Sequence, residues 1–120
     1  MEKEKRKKLV EAYKETKTYM GVFAVRNTVN GKIYIGSARN LKSRWLTLKG
    51  QLDDRWFANA ALQADWNTYG AEHFVFEVLE DAATDTESDP AFALKLMEKR
   101  WLEKHEPYGE KGYNKPPKEA

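Results

Sequence analysis

The chain has 120 residues, enough for one domain and too few for two self-sufficient cores. Hydrophobic residues make up 41% and charged residues 33%, with four Trp, six Tyr and five Phe, an apolar content that suits a folded core. The absence of Cys removes disulfide scaffolds, thiolate zinc sites and Cys nucleophiles, and two His are too few for a His-based cluster, so a metal would have to bind through oxygen. No apolar stretch approaches the roughly 20 residues that span a bilayer, and the charged N-terminus lacks the apolar segment of a signal peptide. A soluble, cytoplasmic protein with no membrane partner is expected.

The net charge of +2 conceals blocks of opposite sign. Residues 16–52 carry seven basic side chains and no acidic one, whereas 53–98 carry two basic and eleven acidic. A basic run of this kind attracts a polyanion. The alternative is that it pairs with the acidic middle on folding.

In chain order, residues 1 to about 17 are rich in Glu and Lys, with Leu9 and Tyr13 on one side, and predict an amphipathic N-terminal helix. The β-branched and aromatic runs Gly21–Arg26 and Lys32–Gly36 flank Asn30-Gly31, which suits a two-residue type I′ turn, so a hairpin is predicted with Asn27 opposite Tyr34. In it Phe23, Val25 and Tyr34 share a face. A short helix follows, capped by Asn40, running from Leu41 to about Lys49 and closed by Gly50. Ala58, Ala61, Leu62, Asp65, Trp66 and Tyr69 have helical spacing for a second helix, His73–Leu79 alternates as a third strand, and Asp81–Asp89 is expected as a loop. Asp89-Pro90 begins a last helix that ends near His105. The order implies an α/β (α+β) fold, a three-stranded sheet with flanking helices plus the extra N-terminal helix. Trp45, Trp56, Trp66 and Trp101 are expected as core anchors, and His73 and His105 as surface residues.

Two charges stand on the wrong faces. Leu41, Arg44, Trp45 and Leu48 put Arg44 in the apolar stripe of its helix, and Leu94, Met97, Glu98, Trp101 and Leu102 do the same to Glu98. Ionised groups are seldom buried without a partner. Arg44 and Glu98 either pair with each other or with backbone, or line a cleft, facing a phosphate and a hard cation respectively.

Taken together, Gly21-Val22-Phe23, Tyr34-Ile35-Gly36, Arg44-Trp45, Glu98 and Tyr113-Asn114 resemble the GIY-YIG endonuclease family, and Asn27-Thr28-Val29-Asn30-Gly31, Leu62-Gln63, Trp66-Asn67 and Tyr69-Gly70 resemble, within it, the catalytic domains of phage-type homing endonucleases. The resemblance divides the chain into a basic helix (1–19), a nuclease-like domain (20–114) and a tail (115–120). It implies a metal-dependent DNA endonuclease in which Tyr34 activates water or contacts phosphate, Arg44 neutralises transition-state charge, Glu98 binds Mg2+ or Mn2+, and Asn114 orients the phosphate or closes the site. Arg26, Lys32, Arg39, Lys42 and Lys49 of the basic run are the expected nucleic-acid contacts, and intrinsic sequence preference is expected to be slight or supplied by a targeting partner protein. Where the family's first motif has Tyr this chain has Phe23, which lacks the hydroxyl, and where the homing branch has His it has Leu48. A catalytically weakened nucleic-acid-binding module of the same fold is therefore the alternative.

Overall fold

The computed structural model describes residues 18–116. The expected N-terminal helix and the end of the tail lie outside them. Within that range the strands are β1 (Tyr19–Asn27), β2 (Ile33–Ala38) and β3 (Phe74–Ala83), and the helices are α1 (Leu41–Asp53), α2 (Ala60–Tyr69) and α3 (Pro90–His105). The sheet order is β2-β1-β3, antiparallel throughout. The α+β architecture with a three-stranded sheet is the one the sequence predicts.

β1 is central and buried on both faces, which is why its sequence reads as a continuous apolar run instead of an alternating one. Met20, Val22 and Ala24 pack with Ile35 against Leu94 and Met97 of α3. Phe23 and Val25 face the other way, into a core with Leu41, Leu48 and Leu52 of α1 and Leu62 and Trp66 of α2. The molecule thus has three layers, with α1 and α2 on one side of the sheet and α3 on the other.

The hairpin differs from expectation in register but not in parity. Val25 lies opposite Tyr34 and Phe23 opposite Gly36, because the loop takes four residues instead of two. Gly31 N–H bonds to Asn27 O (2.9 Å), and Asn27 N–H to Lys32 O (2.9 Å). Asn27 Oδ1 accepts from Val29 N–H at 2.9 Å and Asn30 Oδ1 from Lys32 N–H at 3.0 Å, so two Asx turns replace the type I′ turn, and only Gly31 in the loop takes a positive φ (77°). A slip of two residues keeps every side chain on its face. Phe23, Val25 and Tyr34 are accordingly together.

Other boundaries moved for packing reasons. α1 continues through Gly50 to Asp53 because fully buried Leu48 and Leu52 extend the i, i+4 stripe past the glycine, outweighing its cost of about 1 kcal/mol on the exposed side. α2 starts at Ala60 because Asn59 caps it, accepting from Leu62 N–H at 3.0 Å. β3 runs on through Asp81–Ala83, a stretch expected as loop, because Tyr19–Gly21 of β1 offers it pairing partners. Asp89 and Pro90 begin α3 as predicted, with Asp89 Oδ1 accepting from Phe92 N–H at 3.1 Å. Of the four Trp, Trp66 is buried and bonds Asp53, Trp45 stacks on Phe76, and Trp101 bonds Glu80. Trp56 corrects the expectation of a core anchor: it follows α1 in a loop, outside the helical stripe, and is 63% exposed.

Candidate active site

β2 is an outer strand of the sheet, and alternation sends Tyr34 toward the α1 layer and Ser37 toward α3. Side chains from both helical layers can therefore meet around this one strand. Arg44 projects from α1 and Glu98 from α3, each half-buried. Ser37 Oγ donates to Glu98 Oε2 at 2.7 Å and fixes one end of the carboxylate. Arg44 lies with its guanidinium carbon 5.9 Å from the Phe23 ring centroid. Among the described residues no carboxylate lies within ion-pair distance of it. The pairing of Arg44 with Glu98 allowed by helical phase is not formed.

Tyr34 reports how close these charges are. Burial pushes its phenol above the ordinary value of 10, the Arg44 guanidinium pulls it down, and the Glu98 carboxylate raises it again. The net direction is upward, so the phenol keeps its proton at neutral pH. Acidification by cationic neighbours, one of two routes by which a phenol could serve as base, is not what this environment produces.

Neighbours hold Tyr34 firmly. Its ring meets Phe57 edge-on at 5.7 Å and Phe23 at 6.3 Å. The backbone on both sides is clamped by the C-terminal segment: Tyr113 N–H donates to Ile33 O at 2.9 Å, and the Asn114 side chain accepts from Ile35 N–H at 2.9 Å and donates to Ile35 O at 2.8 Å. Both ends of the Asn114 amide are thus engaged with β2, so the residue positions the strand that carries Tyr34. A deeper anchor backs it: Tyr113 donates its hydroxyl to Asp65 at 2.7 Å and accepts from Asn27 at 3.1 Å.

The expected nucleic-acid contacts divide. Arg39, Lys42 and Lys49 are exposed on the β2–α1 connection and α1, with no carboxylate partner among the described residues. Arg26 is elsewhere, on the α3 side of the sheet and paired with Glu77 at 3.1 Å. Lys32 sits near the hairpin loop, its ammonium 5.9 Å from the Tyr113 ring. Phe23 is 1% exposed and Leu48 fully buried, so both are core residues. Sequence reasoning passed over Ser37 and Phe57. The first was within reach, since strand parity places the residue after Gly36 on the Glu98 side; the second carried no local signal.

Among the described residues no three His, Cys, Asp or Glu cluster to hold a metal. Glu98 alone, with one oxygen lacking a partner among the described residues, suits a hard cation that completes its shell with water and substrate phosphate.

Comparison with known proteins agrees with this geometry. A family model of the GIY-YIG catalytic domain matches residues 19–114. The intron-associated endonuclease 1 of Enterobacteria phage T4 is 31% identical over 61 residues, 51% of this chain and 24% of that protein, so the match spans about a quarter of the relative's length. The solved catalytic domain of the homing endonuclease I-TevI superposes with a TM-score of 0.67 at 25% identity, covering 79% of this chain and 96% of that one. A glutamate-to-alanine variant of that domain gives 0.61 at 25% identity, with 80% and 92% covered. The chain belongs to the GIY-YIG family, as a domain of the endonuclease type.

Proposed function

We propose that this domain hydrolyses DNA phosphodiester bonds with the help of a divalent cation, Mg2+ or Mn2+, held at Glu98. The observation that carries the reading is the convergence of Tyr34, Arg44 and Glu98 from three elements around one strand, with Arg44 left without a carboxylate partner among the described residues. A half-buried guanidinium with no carboxylate partner among the described residues suits an anion, and a phosphate offers the bidentate geometry it prefers. When bound, the cation polarises the phosphoryl oxygen and stabilises the leaving oxygen.

Each residue then has a task. Arg44 binds a non-bridging oxygen and gains strength as negative charge builds on it, beside the apolar ring of Phe23. Tyr34, holding its proton, donates a hydrogen bond to the phosphate or the incoming oxygen. Ser37 keeps the carboxylate of Glu98 aimed, and Asn114 keeps β2 in place. Arg39, Lys42 and Lys49 attract the DNA backbone.

The test is incubation with supercoiled plasmid and with single-stranded DNA, with Mg2+ or Mn2+, beside an EDTA control and Glu98→Ala. Cleavage that disappears in both controls is expected. A second reading, binding without turnover, is favoured by one observation, the missing hydroxyl at buried Phe23. Salt-sensitive DNA binding with no product under any metal would establish it in place of the first.

A further inference from the structure

Trp56 is 63% exposed, the one indole of this chain left largely in water. The loop that carries it is fixed at every step. Asp54 N–H bonds to Gly50 O (2.9 Å), Arg55 N–H to Leu52 O (3.2 Å) and Trp56 N–H to Gln51 O (3.0 Å). Phe57 N–H donates to Gln63 Oε1 at 3.0 Å, and Gln63 Nε2 returns to Leu52 O at 2.9 Å. Arg55 accepts a left-handed φ of 64° to make the turn. The next residue, Phe57, points inward and meets the Tyr34 ring edge-on at 5.7 Å. A large apolar ring is therefore presented to solvent, on a rigid backbone, one residue from the wall of the candidate active site.

We propose that Trp56 is a stacking platform for an unpaired base next to the scissile phosphate, so that the site prefers DNA with unpaired nucleotides to fully paired duplex. The proposal rests on the reading of the candidate active site as a DNA site. An indole gives a base a flat partner at little entropic cost, since it has two side-chain torsions and its backbone is already ordered. In a paired duplex both faces of each base are already stacked, so the ring gains a partner only where a base is unpaired or turned out. The residues that lead into it, Asp53, Asp54 and Arg55, carry no net positive charge. Attraction at this spot is thus stacking, and its contribution does not follow the salt dependence of the phosphate contacts.

The experiment measures binding without added metal, so that no turnover intervenes. Fluorescence anisotropy compares a labelled single strand with the paired duplex of the same sequence, for wild type, Trp56→Ala and Trp56→Tyr, at several salt concentrations. Trp56→Ala is expected to lower the preference for single strand by about five- to 100-fold with the salt slope kept, and Trp56→Tyr to restore part of it. Single strand is also expected to quench a share of the intrinsic fluorescence that Trp56→Tyr removes. An unchanged preference in Trp56→Ala, or equal losses on both DNAs, overturns the proposal. Cleavage fails or succeeds separately through the Glu98→Ala comparison, so an inactive protein that still loses its preference on Trp56→Ala refutes the nuclease reading alone.

Discussion

Gly36→Ala tests how the second motif shapes the site. Gly36 faces Phe23 across the β1–β2 ladder, and a Cβ there would lie 2.6 Å from Phe23 Cζ and 3.2 Å from both Cε atoms. The first distance is not tolerated, so the ring must move. It has nowhere free to go: Phe23 is 1% exposed, stacked on Phe76 at 5.0 Å and 6.3 Å from Tyr34. Overpacking of this kind costs about 1–3 kcal/mol. In a chain of this length each kcal/mol lowers Tm by about 4 °C. The assay is urea denaturation of Gly36→Ala, Phe23→Leu and the double variant. Leucine lacks the ring tip, so Gly36→Ala should cost less in the Phe23→Leu background, by at least about 0.5 kcal/mol. Additive costs, or a Gly36→Ala variant as stable as wild type, would refute the steric account of this glycine.

Arg44→Lys should lower kcat about 10²- to 10³-fold while shifting Tm little, because Arg44 makes no ion pair among the described residues that the fold would miss; single-turnover cleavage beside a thermal melt checks both halves. Tyr113, buried and hydrogen-bonded, has its phenol pushed up to about 12, so its neutral form stabilises the fold fully below pH about 10 and that contribution is lost as pH rises toward 12. Urea midpoints of wild type and Tyr113→Phe should converge across that window, and parallel curves would contradict the shift. Leu48→His, which restores the homing branch's residue, should destabilise the fold by about 2–4 kcal/mol, since Leu48 is fully buried beside Leu52. The loss should deepen below pH about 6.5, where the unfolded chain takes up a proton that a buried imidazole resists; a pH-independent loss would place the imidazole in water.

Strand and helix identity were legible because β-branched runs and helical spacing are local signals. The misplaced boundaries were settled by contacts distant in sequence. Gly50 reads as a stop until Leu52 is known to be buried, and Asp81–Ala83 reads as loop until Tyr19–Gly21 is found beside it. For the site, the out-of-phase charges Arg44 and Glu98 were the informative residues, since an ionised group in an apolar stripe demands a reason. Phe57 could not be found this way. It reaches Tyr34 only because the Gln63 side chain holds its backbone N–H, a bond between a loop and a helix that no periodicity announces. Nor does the exposure of Trp56 follow from its type, since Trp is more often buried.

The positions where this chain departs from its family have a common consequence. Phe23 and Leu48 place apolar side chains where the resemblance to the family and its homing branch expects Tyr and His, and Phe57 joins Phe23 as an apolar surface against Tyr34. Such a floor removes groups that could carry protons. It also lowers the local dielectric, and that acts on what remains: burial is the largest influence on the Tyr34 phenol, larger than the opposing pull of Arg44. The same apolar surroundings strengthen the field of Arg44 at any phosphate that enters. On the proposed reading, proton handling is thereby weakened while charge stabilisation is kept, so changes that slow water activation need not impair phosphate binding. The site's remaining polar chemistry is concentrated around β2, in three groups that Ser37 and Asn114 hold in register.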